Sequence, residues 1–261
     1  MKIIEHDLLI VGGGAAGLSA AIEANKHCED VAIVSKVRTL RSHSVSAQGG
    51  IAAPLGNLPE NQGDNWKKHL KDTVEGGDYL VDRDAGEALA KEARKTVLEL
   101  EHLGVPFNRT DEGLLDQRPF GGHSLPRAVY AGDRTGHAIV YTLYGENQKL
   151  GTNFYDEYFG LDLLVDADRR EVNGLMVYDM KSGKLLVFKA KAVILATGGC
   201  GQSYKITSSG KASTGDGLGM VIRAGIPVKD MEFIQFHPTG LKEKGILVSE
   251  AVRGEGGHLI N

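Results

Sequence analysis

The segment from Asp7 to Ser35 constrains the fold more than any other part of the chain. The apolar run Asp7-Leu8-Leu9-Ile10-Val11 leads straight into Gly12-Gly13-Gly14-Ala15-Ala16-Gly17. A stretch rich in Ala, Leu and Ile follows, and then Val31-Ala32-Ile33-Val34-Ser35. This pattern predicts a strand over 6–11, a helix over 15–26 and a second strand over 31–35. A strand, a glycine loop, a helix and a strand in that order require a parallel sheet. Within the loop, Gly12 permits the tight turn, Gly14 lets backbone approach a pyrophosphate, and Gly17 lets helix and strand pack closely. The helix N-terminus offers N–H groups and a positive dipole end to phosphates. An acidic residue is expected at the end of the second strand to bind ribose hydroxyls. Ser35-Lys36 stands there instead, which weakens a simple NAD-binding reading.

The 261 residues, 41% hydrophobic and 25% charged, suit a folded globular protein of one large or two ordinary domains. A net charge of −4 without a dense Lys/Arg run gives no reason to expect nucleic acid. Cys28 and Cys200 are too few for a disulfide framework, and neither lies in a CxxC pair, so no metal ligand set is expected. No apolar run reaches membrane-span length, and no leader precedes the first strand. The expected location is therefore cytoplasmic, with any membrane association made through partners. The 35 glycines punctuate apolar elements rather than forming Gly/Ser repeats, an arrangement that suits backbone approaching a large ligand at several points.

Further along, residues 51–66 read as loop, 83–103 as a long helix stopped by Gly104, and 134–149 as another helix. Residues 161–196 read as a run of short strands with Lys181-Ser182-Gly183-Lys184 as a hairpin turn, and 215–224 as a short helix. The fold expected is α/β: a Rossmann-like domain with a parallel sheet and an inserted antiparallel strand region. A second segment carries chemistry: Arg41-Ser42-His43-Ser44-Val45-Ser46-Ala47-Gln48-Gly49-Gly50, shortly after the second strand. One histidine in a Ser- and Gly-rich stretch beside a dinucleotide loop suggests a flavin site with a histidine able to touch it. An ordinary loop histidine is the alternative.

The chain resembles the flavoprotein subunit of the succinate dehydrogenase and fumarate reductase family along essentially its whole length. Besides Arg41-Ser42-His43-Ser44, the matching blocks include Asp72-Thr73-Val74-x-Gly76-Gly77-Asp78, Phe120-Gly121-Gly122, Ala196-Thr197-Gly198-Gly199 and Thr214-Gly215-Asp216-Gly217. The most diagnostic are Met231-Glu232-Phe233-x-Gln235-Phe236-His237-Pro238-Thr239-Gly240 and Ser249-Glu250-Ala251-Val252-Arg253-Gly254. Ser35-Lys36 is that family's usual substitute for the acidic residue.

The resemblance implies FAD, bonded covalently through its 8α carbon to His43. It implies FAD contacts at Gly12, Gly14, Gly17, Ser35, Lys36, Ser42, Gly49, Gly50, Ala196, Thr197 and Asp216. His237 and Ser249 match groups that bind a substrate carboxylate, and Phe120 matches an aromatic beside the substrate's central carbons. Glu250 and Arg253 match members of a proton-delivery chain. The implied reaction interconverts succinate and fumarate, passing electrons to an iron–sulfur subunit of a complex with membrane-anchor subunits. The implied location is the inner face of the cell membrane. Gln48 leans the direction towards succinate oxidation.

Bland readings stand beside these. His237 could be a strand-end histidine satisfied by backbone, and Glu250 and Arg253 could form a structural ion pair. L-Aspartate oxidase shares the fold and the Gln-Gly-Gly block but lacks the attachment histidine. The expected domains are an FAD-binding domain over 1–235 and the beginning of a capping domain over 236–261. The family's remaining catalytic residues lie downstream, so residues 1–261 alone are expected to bind flavin at most and not to turn over.

Overall fold

The computed structural model describes residues 1–166, 168, 170–237, 239–241, 246–248, 252, 256–258 and 260. In chain order its elements are β1 (Lys2–Val11), α1 (Ala15–Ala24), β2 (Val31–Ser35), β3 (Ile51–Ala52), α2 (Trp66–Gly76), α3 (Arg83–His102), β4 (Gln117–Arg118) and β5 (Ala128–Val129). After these come α4 (Thr135–Lys149), β6 (Asn153–Asp156), β7 (Tyr158–Asp166), β8 (Glu171–Asp179), β9 (Lys184–Leu195) and α5 (Asp216–Arg223). By compactness the chain divides into residues 1–46 with 140–246, and residues 47–139 with 247–261.

The first unit holds a six-stranded sheet in the order β6-β2-β1-β9-β8-β7. β1 pairs in parallel with β2 and β9, and β2 with β6. β8 runs antiparallel to both β9 and β7, which makes the inserted antiparallel region. Every residue of β2 is buried, as are Leu8–Val11 of β1, so these inner segments read as unbroken apolar runs. Alternate residues Leu9, Val11, Ala32, Val34, Val177 and Phe188 share one buried cluster, closed by Met220 of α5. Ile10 instead faces Gly17 of α1. Asn147 of α4 is fully buried and donates from Nδ2 to the carbonyls of Leu18 (2.9 Å) and Leu143 (2.9 Å), fixing α4 against α1.

Two expectations need correction, and one strand was not foreseen. β1 starts at Lys2, because residues 2–6 find partners in β9 from Leu186 to Ala190. The region after 161 is not a run of short strands: β9 alone has 12 residues, paired with β8 from Lys184 to Lys189 and with β1 from Leu186 to Leu195. β6, the short strand beside β2, carried no sequence signal of its own.

The second unit contains α2, α3 and a three-stranded antiparallel sheet, β3-β5-β4. α2 begins at Trp66, the last residue of the stretch read as loop, and was not itself foreseen. Asn65 caps it, its side-chain oxygen accepting from the N–H groups of Lys67 (3.0 Å) and Lys68 (3.3 Å). Among the described residues no helix is long and apolar enough to cross a membrane.

Candidate cofactor site

The C-terminal ends of β1, β2 and β9 in the first unit carry the glycine loop, the Ser35-Lys36 pair and the Ala196-Thr197-Gly198-Gly199 turn. In an open parallel sheet this is the edge at which ligands bind. Gly12 has φ +115°, and a Cβ there would lie 2.2 Å from the carbonyl oxygen of Ala196. A Cβ on Gly17 would lie 1.9 Å from the carbonyl oxygen of Gly12. No side chain fits at either position. The middle glycine of the run, Gly13, backs onto Thr39, whose Oγ1 would be 2.6 Å from an added Cβ. Thr39 is fully buried and donates from N–H (3.0 Å) and Oγ1 (2.8 Å) to Asp156 at the end of β6.

The start of α1 is built for an anion. Gly14, its N-cap, brings no side-chain cap. A hydroxyl from elsewhere serves, Ser44 Oγ accepting from the N–H of Ala15 at 3.1 Å. Beside it, Ser42 Cβ lies 4.0 Å from the Cβ position of Gly14, and Ser42 Oγ is buried with no hydrogen-bond partner. An orphaned hydroxyl next to an open helix N-terminus is a donor waiting for an acceptor, and a pyrophosphate oxygen satisfies it.

A carboxylate from another element pairs with the lysine at the end of β2. Lys36 forms an ion pair with Asp216, the first residue of α5, and also donates to Thr214 Oγ1. Thr214 Oγ1 in turn donates to Asp216 Oδ2 at 2.8 Å. The Lys36 ammonium lies 5.4 Å from the centre of the Phe159 ring. Gly217 gives α5 its position, since a Cβ there would be 2.0 Å from Thr197 Oγ1. Several glycines expected to face a ligand thus serve close packing of chain on chain. Gly198 and Gly199 differ: added Cβ atoms there would meet nothing within 4 Å.

His43 lies in a short 3₁₀ turn, His43–Ser46, and is exposed. Its Nδ1 accepts the backbone N–H of Gly210 at 3.0 Å. An imidazole accepting at Nδ1 carries its proton, when neutral, on Nε2.

The second unit holds Gly49, Gly50 and Phe120. A Cβ on Gly49 would lie 2.4 Å from Phe120 Cζ, so the ring rests on the glycine. Arg118 holds that backbone, donating to the carbonyl of Gly49 (Nη2, 2.6 Å; Nε, 3.1 Å) while stacking on Tyr130 at 4.3 Å. Gly50, at φ +128°, would bring a Cβ within 2.7 Å of the Val129 carbonyl oxygen.

His237, half-buried in the first unit, accepts at Nδ1 from the N–H of Thr239 at 3.2 Å. Ser249, Glu250 and Arg253 lie outside the described residues. Sequence reasoning missed Thr39, Ser44, Arg118 and Thr214 as supports of these segments. The extra glycine at 13 and the serines flanking His43 were the available signals for the first two.

The sequence comparison decides the family: residues 7–261 match the FAD binding domain family. The chain belongs to it. The succinate dehydrogenase flavoprotein subunit of Coxiella burnetii is 49% identical over 269 residues, covering 100% of this chain and 45% of that protein. The fumarate reductase flavoprotein subunit of Mycobacterium tuberculosis is 47% identical, covering 98% and 43%. Among solved structures, the E. coli quinol fumarate reductase subunit FrdA superposes with a TM-score of 0.93 at 40% identity, covering 100% of this chain and 44% of that one. This FAD-binding domain therefore spans less than half the length of these relatives. Its cofactor is FAD, and the glycine cradle, the open start of α1 and the orphaned Ser42 hydroxyl fit that group.

Proposed function

We propose that the chain is the FAD-binding part of a flavoprotein that interconverts succinate and fumarate, with electrons leaving to an iron–sulfur subunit of a respiratory complex. The observation that carries the reading is His43, held by the Gly210 amide one residue from the orphaned Ser42 hydroxyl at the α1 N-terminus. A dinucleotide cradle alone suits many flavoproteins; a fixed imidazole beside it suits one that attaches its flavin. The relatives named above support the substrate pair.

In this reading Gly12, Gly14, Gly17, Ser35, Lys36, Ser42, Gly49, Gly50, Ala196, Thr197 and Asp216 contact FAD. FAD, when bound, supplies two-electron hydride chemistry. The protein's task is to orient a dicarboxylate and to handle the proton. His237 and Ser249 donate to a substrate carboxylate, Phe120 packs beside the central carbons, and Glu250 and Arg253 deliver the proton. Residues 236–261 begin a capping domain that follows the FAD-binding domain of residues 1–235. Membrane-anchor subunits place the assembly at the inner face of the cell membrane.

The test uses the protein purified from its own source. Acid denaturation followed by peptide mass analysis should find one FAD on the peptide containing His43, and the protein should oxidise succinate with a dye acceptor. Flavin that is wholly released by acid, with no succinate oxidation, overturns the reading. Oxidation of L-aspartate in its place assigns the chain to the oxidase line.

A further inference from the structure

We propose that Gln202 is a positioning residue for attachment of the flavin: it aims the amide that holds the His43 imidazole. The inference rests on the reading of His43 as the attachment residue. His43 is exposed on a short turn, where a side chain ordinarily samples several rotamers. What restrains it is the Gly210 N–H at Nδ1, 3.0 Å away. That N–H belongs to the peptide unit between Ser209 and Gly210. The carbonyl of the same unit, Ser209 C=O, accepts from Gln202 Nε2 at 2.7 Å. One planar trans peptide is thus gripped at both ends. With its oxygen pinned by Gln202, its N–H can point only the opposite way, at the imidazole. The two hydrogen bonds also polarise the unit in the same sense.

The rest of the loop is folded to hold this geometry. Gln202 N–H donates to the Ser213 carbonyl at 3.0 Å, and Ser213 N–H to the Gly210 carbonyl at 2.9 Å. Gly201 lets the loop double back tightly, since a Cβ there would be 2.2 Å from Ser209 Oγ. A Cβ on Gly210 would be 3.3 Å from His43 Nδ1, so a glycine gives the amide its close approach.

Attachment joins Nε2 to the 8α carbon. Nε2 supplies the electron pair of the new N–C bond and loses its proton. The 8α carbon loses a proton too, and the electron pair of that broken C–H bond passes into the flavin, which is the oxidant and is reduced by two electrons. The two protons are taken up by the reduced flavin or by solvent. The imidazole that results is substituted at Nε2 and keeps a lone pair on Nδ1. The Gly210 N–H is already placed to satisfy that lone pair, so the loop favours the geometry of the product.

The experiment compares the unaltered protein with Gln202→Met, which keeps the side-chain length and removes the donor, and with Gly210→Pro, which removes the N–H itself. Each is produced in the length in which the protein occurs naturally and reconstituted with FAD. Total flavin is measured before acid precipitation, and acid-stable flavin after it, over time. Both variants should bind the same total flavin while attachment slows by about tenfold. Attachment at the unaltered rate in both variants overturns the proposal. So does a loss of total flavin in parallel with attached flavin, which would make the loop part of cofactor binding alone. Absence of acid-stable flavin from the unaltered protein overturns the reading of His43 and the proposal with it.

Discussion

Arg127 grips Asp64 through two parallel hydrogen bonds, Nε to Oδ2 at 3.1 Å and Nη2 to Oδ1 at 2.9 Å, with both side chains fully buried. Its remaining nitrogen, Nη1, donates to Asp72 Oδ2 at 2.7 Å. The same oxygen accepts from Ser124 N–H and Ser124 Oγ, each at 2.8 Å. Such a cluster is costly to bury and costlier to break. Arg127→Met leaves two carboxylates without their cation, and should lower the stability of the second unit by about 3–5 kcal/mol. The protein has a single tryptophan, Trp66, at the start of α2 in the same unit, so urea unfolding followed by its fluorescence reads this directly. A loss below about 1 kcal/mol would mean that the carboxylates find water or other donors.

A pH dependence follows from the neighbour of this cluster, His69. Its side chain is buried on α2, and burial pushes its pKa below the ordinary histidine value, helped by the positive charge of Arg127 and by His123. Asp64 and Asp72 pull the other way and do not prevail. The unfolded chain therefore binds a proton at His69 that the folded chain resists. Stability from this group is complete above about pH 6.5 and falls as the pH drops below it, by at most about 1.4 kcal/mol per pH unit. Asp72 acts in a separate window: burial raises its pKa, but the Ser124 hydrogen bonds and Arg127 outweigh burial and hold it below the usual value. Its contribution is lost only as the pH falls below about 3.8. Urea midpoints between pH 7.5 and 5.5 should decline in the unaltered protein and stay flatter in His69→Gln.

The glycine clusters give opposite predictions at two positions. In Gly17→Ala, the new Cβ would lie 1.9 Å from the carbonyl oxygen of Gly12, and both atoms belong to the cofactor loop. Neither backbone can yield without opening the loop, so bound FAD should fall by at least tenfold, measured as flavin absorbance per protein after gel filtration. Gly145 lies inside α4, and an added Cβ meets nothing within 4 Å. Gly145→Ala should therefore keep its FAD and gain about 0.5–1 kcal/mol of stability. Equal flavin in the two variants would show that the contact between Gly12 and Gly17 does not shape the site.

How much of this was legible in the sequence depended on the range of the interactions. The unit β1-loop-α1-β2 was readable because its signals are local: unbroken apolar strands, a glycine run and a helical stretch within 35 residues. α3 was readable for the same reason. α2 was not, because Trp66-Lys67-Lys68-His69 looks polar and its start is set by the Asn65 cap rather than by periodicity. The site divides in the same way. Gly12 and Gly17 follow a fixed local spacing. The pairs that give the site its shape do not: Ser44 with Ala15 spans 29 positions, His43 with Gly210 spans 167, and Lys36 with Asp216 spans 180. No period or composition encodes such pairings. The same limit explains the glycines at 215 and 217, which were expected to face a ligand and instead accommodate Cys200 and Thr197.

The last prediction concerns the turn that carries Phe120. His123 N–H donates to the Phe120 carbonyl at 3.1 Å, and the next residue, Ser124, is tied to Asp72 by both its backbone and its hydroxyl. The far end of the turn is thus anchored to the buried cluster, while the ring rests on Gly49. Ser124→Ala removes the hydroxyl bond and keeps the backbone bond, so the turn should stay folded but loosen. If Phe120 packs against the substrate's central carbons, as proposed, loosening it weakens dicarboxylate binding and leaves the chemical step nearly untouched. KM for succinate should rise about threefold to tenfold, the worth of one hydrogen bond, with kcat within about twofold. The effect should disappear in a Phe120→Leu background, because the serine acts only through the ring it positions. A rise in KM that persists in that background would place the action of Ser124 on another part of the site.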